Sequence, residues 1–259
     1  MHTADKGQKP HISHREMAPY DVEAVVLDNR MVGNDTAGIW FYAPEIARTA
    51  NAGQFIMAQT KCKFLRRPFS IAAVNGGRLF LLIRIVGEGT RAIASMRRNE
   101  RLRMLGPLGN SFPADVENPI LVGGGIGIAP LLFAAQKFKS CEKQFSLIYG
   151  ERTAENLLST ELLPKCTKIA TDDGTTGFHG TATDLVKEVI PAPVFACGPE
   201  MMLKEICKIV EQWGTTAWIS MESRMACGFG VCYGCVIRTR SGFKRVCADG
   251  PVFTNDALM

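Results

Sequence analysis

Four cysteines near the end of the chain, Cys227, Cys232, Cys235 and Cys247, follow the spacing C-x4-C-x2-C with a more distant fourth member. Thiolates converging on one centre dictate the path of the loop that carries them. The spacing is that of the plant-type ligand set of a [2Fe–2S] cluster. Three of the four lie in one stretch, Cys227-Gly228-Phe229-Gly230-Val231-Cys232-Tyr233-Gly234-Cys235. Its glycines permit backbone conformations closed to other residues and let N–H groups approach sulfur. Arg224 and Arg245 are near in sequence, and charge and N–H donors around a cluster tune its potential. Structural zinc is the competing reading. Zinc ribbons pair two short C-x2-C spacings, whereas only Cys232 and Cys235 stand that close here.

The rest of the composition fits an intracellular redox protein. At 259 residues there is room for two domains and a small third. A hydrophobic share of 46% and 21% charged residues are ordinary for a soluble globular chain. The net charge of +5 comes without a long basic block, so nucleic-acid binding is not indicated. Nine cysteines, an odd number without a secretory signal, argue against a disulfide framework and for a cytoplasmic location. Cys62, Cys141, Cys166, Cys197 and Cys207 are scattered and read as small buried hydrophobes. Residues 1–19 are polar, hold His2, His11 and His14, and lack the apolar stretch of a signal peptide. They read as a flexible extension, with metal binding by the histidines as the alternative.

Residues 118–136 contain no charge, which meets the length of a membrane span. Glycines and prolines interrupt the run, and a strand at 119–122, a glycine turn and a helix from Pro130 explain it better. No membrane partner is expected. In the turn, Gly123-Gly124-Gly125-Ile126-Gly127-Ile128-Ala129-Pro130, glycines allow close approach of a pyrophosphate to free N–H groups at a helix start. Pro130 suits a first helical turn, where its missing N–H costs nothing. Strands are predicted at 146–149, 168–171 and 194–197, and helices at 155–163 and after Gly198-Pro199. In the last helix Met202, Ile206, Ile209 and Trp213 recur at helical spacing. Alternating strands and helices predict a parallel sheet, whose ligands bind beyond the carboxyl ends of the strands. Gly124, Gly125, Gly127, Pro130, Asp173, Cys197, Gly198 and Pro199 are therefore candidate dinucleotide-binding residues. At the end of the second strand Glu151 would accept from a ribose 2′-OH, whereas Arg152 would accommodate a 2′-phosphate. The pair gives both signals.

The first part of the chain has a different texture. Short β-rich runs recur at 22–27, 38–42, 54–59, 69–74, 78–86 and 101–105, with Asn75-Gly76-Gly77 as a hairpin turn. Many short strands with Gly and Pro turns predict an antiparallel barrel. The expected fold is thus β followed by α/β: a barrel over 20–113, a Rossmann-like domain over 114–213 and a small cluster subdomain over 214–259.

With these residues in view the chain resembles the ferredoxin–NADP reductase superfamily. More closely it resembles the electron-transfer subunits of class 1B, NAD-dependent dihydroorotate dehydrogenases. The matching stretches are Leu65-Arg66-Arg67-Pro68-Phe69-Ser70-Ile71, Val86-Gly87-Glu88-Gly89-Thr90, Leu105-Gly106-Pro107-Leu108-Gly109-Asn110, the glycine turn, Cys197-Gly198-Pro199 and the cluster region from Met221 to Phe253. The resemblance implies FAD in the barrel, NAD(H) on the second domain and a [2Fe–2S] cluster on the third. Arg67 would pair with the flavin's phosphates and Ser70 would bond near its reactive nitrogen, with Pro68 and Phe69 between them. Leu82, Ile83 and Arg84 would line the ring or diphosphate, mostly through backbone groups, and Gly89 and Thr90 would begin a helix facing the diphosphate. Without the resemblance, Arg67 reads as a surface ion pair, and Arg66 is its rival for the phosphate role. Phe69 departs from the tyrosine common at this position; it can stack but cannot donate a hydrogen bond.

The implied partner is an FMN-containing catalytic subunit in a heterotetramer with two copies of each chain, serving pyrimidine (UMP) biosynthesis. No dihydroorotate-binding constellation is visible on this chain. Phe229, Val231 and Tyr233 would form the docking surface, with inward packing as the alternative for Val231. Another NAD(P)H-linked flavin subunit serving a sulfite or sulfide reductase, a hydrogenase or a ferredoxin reductase shares this layout. A redox sensor and a zinc-stabilised binding module are the readings from other classes.

Overall fold

The computed structural model describes residues 18–60 and 64–258. The expected N-terminal extension lies almost wholly outside the described residues, as does Cys62. The barrel consists of β1 (Tyr20–Met31), β2 (Thr36–Tyr42), α1 (Pro44–Thr49), β3 (Phe55–Ala58), β4 (Arg67–Asn75), β5 (Arg78–Arg84), α2 (Glu88–Ala94) and β6 (Arg101–Leu108). Its strands close in the order β1-β2-β5-β4-β3-β6, every pair antiparallel. Alternation drives closure: in β6, Leu102, Met104 and Leu108 face the interior while Arg101 and Arg103 face water. The β4–β5 hairpin turns on Gly76 and Gly77, with φ of 52° and 82°. Two positive φ values in a row are what a tight two-residue hairpin needs.

The second unit alternates β7 (Ile120–Gly124), α3 (Ile128–Ser140), β8 (Ser146–Glu151), β9 (Thr167–Thr171), β10 (Phe178–His179), α4 (Ala182–Lys187), β11 (Val194–Cys197), α5 (Glu200–Trp213) and β12 (Ala217–Ser220). A hairpin, β13 (Val236–Thr239) with β14 (Gly242–Arg245), the short α6 (Val246–Asp249) and β15 (Val252–Thr254) complete the chain. The sheet runs β10-β9-β8-β7-β11-β12-β15, parallel except for β15. The barrel, the parallel sheet and the cluster-bearing tail are the architecture the sequence predicts.

The structure differs from those expectations in three places, one being Cys141 and Cys166, which are exposed rather than buried. The helix expected at 155–163 is absent; two single 3-10 turns, Ala154–Asn156 and Thr160–Leu162, stand there. Between them Leu157 is extended, Leu158 is buried in the core, and the Ser159 N–H donates to the Val32 carbonyl at 2.6 Å. The barrel takes the backbone donor that a helix would have used. The sheet also draws β12 and β15 from the segment assigned to the cluster subdomain.

The barrel and the parallel sheet share one apolar core, which runs from β1 and β5 through α3 to Phe195. Phe112, at the junction, stacks on Phe195 with centroids 4.7 Å apart. The Gln136 side chain bonds both backbone groups of Val74, at 3.1 and 2.8 Å, fastening α3 to the barrel. Asn110 does the same to Val252, with two bonds of 2.8 Å. These ties hold the barrel against the carboxyl ends of the parallel strands, where the site lies.

Candidate functional site

Two cavities meet over the carboxyl ends of the strands. The first, about 360 Å³, is lined from the barrel by Phe55, Pro68, Phe69, Ser70, Leu82, Arg84 and Thr90. The glycine turn contributes Ile126 and Ala129, the end of β12 contributes Ser220, and the segment after it contributes Met221 to Ser223 and Met225. The second, about 270 Å³, is lined by Gly124, Gly125, Ile126, Gly127, Gly198, Pro199, Glu200 and Leu203. Arg84, Ile126, Met221 and Glu222 line both, so the two spaces share a wall.

The glycines explain how two turns can form one floor. A Cβ on Gly127 would lie 2.5 Å from the Cys197 carbonyl oxygen, and one on Gly124 would lie 2.8 Å from Pro199 Cδ. Only bare backbone lets the β7 and β11 turns touch. Gly125 adopts a φ of 58°, in the left-handed region. Cys197 is buried directly beneath, where desolvation pushes its thiol well up. Pro130 sits within the first turn of α3, also buried.

Several expected residues lie elsewhere. The Arg67 guanidinium folds back on the Leu65 and Arg66 carbonyls, and its rival Arg66 is tied to Asp21 at 2.9 Å. The Ile83 side chain is buried, and Gly89 is buried in the first turn of α2, which leaves their backbone groups for the expected role. Arg152 is exposed, and Asp173 turns its carboxylate to Thr175. The largest displacement from expectation is Glu151. It is buried, pairs with Arg84 and accepts from the Tyr149 hydroxyl at 3.1 Å. Burial beside that carboxylate holds the Tyr149 phenol far above its usual range. A side chain so engaged does not reach out to a ribose.

Glu222 was not singled out by the sequence, because a lone carboxylate next to a cluster motif carries no spacing signal. It faces open cavity yet is ringed by protein atoms, and that desolvation raises its carboxyl above the ordinary range. Reading the loop after β12 as part of the first cavity would have found it.

The four cysteines gather as two pairs. Cys235 and Cys247 are buried with sulfurs 3.2 Å apart. Cys227 and Cys232 are hydrogen-bonded neighbours nearer the surface. The Gly230 N–H donates to Cys247 Sγ at 3.1 Å, the Cys247 N–H to Cys235 Sγ at 3.4 Å, and the Gly234 N–H to Cys232 Sγ at 3.4 Å. Burial pushes Cys247 up to about 12, reinforced by its bond to Cys235. Burial also works against ionisation of Cys227, but N–H groups of Cys232, Phe229 and Val231 outweigh it and bring the thiol to about 6. Positive φ at Gly228, Gly230 and Tyr233 turns those donors inward. Arg245 supports the loop by donating to the Gly230 carbonyl at 2.9 Å while paired with Asp249 at 3.1 Å. Among the described residues no three candidate ligands converge on a single point. Two pairs of thiols with N–H donors aimed at them suit a centre with two irons.

The comparisons agree with this geometry. The iron-sulfur cluster binding domain of dihydroorotate dehydrogenase B matches residues 222–259. The dihydroorotate dehydrogenase B (NAD(+)) electron transfer subunit of Desulforamulus reducens is 36% identical over 249 residues, covering 89% of this chain and 95% of its own. That of Clostridium perfringens is 37% identical over 221 residues, covering 83% and 90%. The chain belongs to this family of electron transfer subunits.

As a dihydroorotate dehydrogenase B electron transfer subunit it is part of an oxidoreductase and implies a catalytic partner subunit. Among solved structures, an NADH-dependent reduced ferredoxin-NADP oxidoreductase superposes with a TM-score of 0.83 at 26% identity, over 92% of this chain and 90% of that one. A ferredoxin reductase of carbazole 1,9a-dioxygenase shares the fold, with a TM-score of 0.68 at 20% identity over 77% and 68%. The cluster-binding domain and the reductase fold support binding of [2Fe–2S], FAD and NAD(H). No helix among the described residues is long and apolar enough to cross a membrane.

Proposed function

We propose that the chain connects NAD(H) at the glycine-turn cavity to an FMN-containing dihydroorotate dehydrogenase subunit in the cytoplasm, in a heterotetramer with two copies of each chain. The observation that carries this reading is the shared wall between the two cavities, on a chain of this family with its cysteines paired close by. Flavin exchanges electrons in pairs with nicotinamide and singly with an iron–sulfur cluster, so one flavin site can join the two chemistries.

The residues divide the work. Phe69 and Leu82 give the first cavity apolar walls for a flavin ring, and Ser70 supplies a hydroxyl there. Thr90 also lines it, while its Oγ1 accepts from the Val86 and Gly87 N–H groups at 3.0 and 3.1 Å and so fixes the loop before α2. Gly124, Gly125, Gly127 and Gly198 form a floor of bare backbone for a dinucleotide. Cys227, Cys232, Cys235 and Cys247 hold the cluster. Phe229, Val231 and Tyr233 are 51%, 70% and 63% exposed beside it. Apolar side chains grouped around a redox centre support the assignment of this loop to the partner interface.

The structural neighbour named as an NADH-dependent reduced ferredoxin-NADP oxidoreductase favours a second reading: the same scaffold serving another acceptor. Purification of the native complex separates the two. The expected result is a companion chain carrying FMN, dihydroorotate oxidation with NAD+ by the complex, and dye reduction without dihydroorotate turnover by this chain alone. A companion without FMN, or dihydroorotate oxidation by this chain alone, would overturn the proposal.

A further inference from the structure

The Arg84 guanidinium lies where the two cavities meet, and its position is set by groups that neither cavity contains. It stands at the end of β5, on the barrel. Glu151, at the end of β8 in the parallel sheet, grips it through Oε1. Asp35, from the loop before β2, approaches Arg84 Nε at 3.3 Å from the other side. The Glu151 side chain is only 5% exposed, against 21% for Arg84 and 44% for Asp35. Tyr149 donates to the same Glu151 oxygen from the fully buried interior of the sheet.

The geometry places this pair against the glycine turn. A Cβ on Gly125 would lie 3.0 Å from Arg84 Nη1 and 3.8 Å from Glu151 Oε1. Dinucleotides are anionic at the diphosphate, and Arg84 is the only Lys or Arg lining either cavity among the described residues. An arginine stem has many rotamers, and holding its planar fork in one of them takes a partner. Glu151 is that partner, and it reaches across from the other domain.

We infer that Glu151 is a positioning residue for the dinucleotide site: it holds Arg84 at the wall between the cavities without touching the dinucleotide. The inference rests on the assignment of NAD(H) to the glycine-turn cavity. Affinity for the dinucleotide then depends on a carboxylate that is sealed off from it, and on the barrel and sheet remaining in register. Discrimination between NAD and NADP by Glu151 through direct contact with the ribose has no place in this arrangement.

The test uses the complete complex with Glu151→Gln, Arg84→Gln and the double variant. Four readouts are needed: bound FAD from absorbance, NAD+ affinity by calorimetry on the oxidised complex, steady-state kinetics and the melting temperature. Glu151→Gln should raise the Kd for NAD+ about tenfold, a size common for coupled neighbours. KM should rise with it, and kcat should change by less than about twofold, since an interaction made equally in ground and transition states acts on KM. FAD content should hold. Arg84→Gln leaves the Glu151 carboxylate buried without a cation, which destabilises, whereas a neutral pair does not, so the double variant should recover the melting temperature lost in Arg84→Gln without recovering affinity. Wild-type affinity in Glu151→Gln, or affinity that returns with stability in the double variant, would overturn the inference. A wild-type complex that takes up no NAD+ would overturn the functional reading and this inference with it.

Discussion

The barrel and parallel sheet keep their shape by burying hydrocarbon, whereas the segment between Ser220 and Val252 keeps its shape largely by gathering sulfur. The first region has one core continuous across both domains and a second between the sheet and the helices α4 and α5. The second has a small cluster of Phe55, Met57, Leu108, Val246 and Phe253, completed by Cys235 and Cys247, which are themselves expected ligands. Much of that core is borrowed from the barrel. A fold with its own core can position a cofactor without depending on it, while a loop with almost none depends on what it binds. The cavities and the cluster site should therefore fail in different ways.

The largest effect is expected at Cys235. With Cys235→Ser, iron–sulfur absorbance should vanish and amide exchange should accelerate through 222–250, while the six barrel strands stay protected and FAD remains bound. Undiminished protection in 222–250 would show that the cluster region is held by packing after all. Next comes Gly127→Ala, aimed at the other region. Its methyl group would meet the Cys197 carbonyl at 2.5 Å, so the two turns must separate. Forcing a methyl group into packed structure costs about 1–3 kcal/mol. A lower melting temperature with weakened NAD+ binding and an intact cluster spectrum is the expected pattern.

The smallest effect belongs to the barrel surface. Burial alone would raise the Asp21 carboxyl, but bonds from Arg66 and Arg103 and their charges outweigh it and lower its pKa below 3.8. A carboxylate held low in the folded state stabilises fully above its unfolded value and loses that contribution as pH falls through the folded one. Asp21→Asn should therefore cost below about 1 kcal/mol at neutral pH, as partly exposed pairs do. The difference from wild type should shrink on acidification below pH 3.8. A larger loss with the same pH dependence would mean that surface charge rather than the core sets barrel stability, and a loss independent of pH would mean that Asp21 does not act through its charge.

The parts legible in the sequence are those with a local period or a local exception. Alternation in the strands, the Gly76-Gly77 turn, the glycines before α3 and the cysteine spacing each express their constraint within a few residues. The Arg84–Glu151 contact does not, because its members stand on different domains and neither has a distinctive neighbour. Glu151 followed a rule about strand ends that holds when the side chain points to solvent; here Tyr149 and Arg84 draw it inward. The helix expected at 155–163 failed similarly, to a backbone carbonyl at Val32 far away in sequence. Glu222 stayed hidden because a cavity lined from many separate segments has no one-dimensional signature.

The chain leaves the sheet at Ser220 and rejoins it at Val252, and these two residues are partners in adjacent strands. Everything from 221 to 251 is thus a detour whose entrance and exit coincide. A detour of this kind can be exchanged, resized or excised without re-threading the rest of the polypeptide. It also means that no free linker sets how far an electron must travel between carriers, since both ends of the detour are anchored on the same pair of strands. The wiring is portable as a cassette, and its length is fixed at the point of insertion.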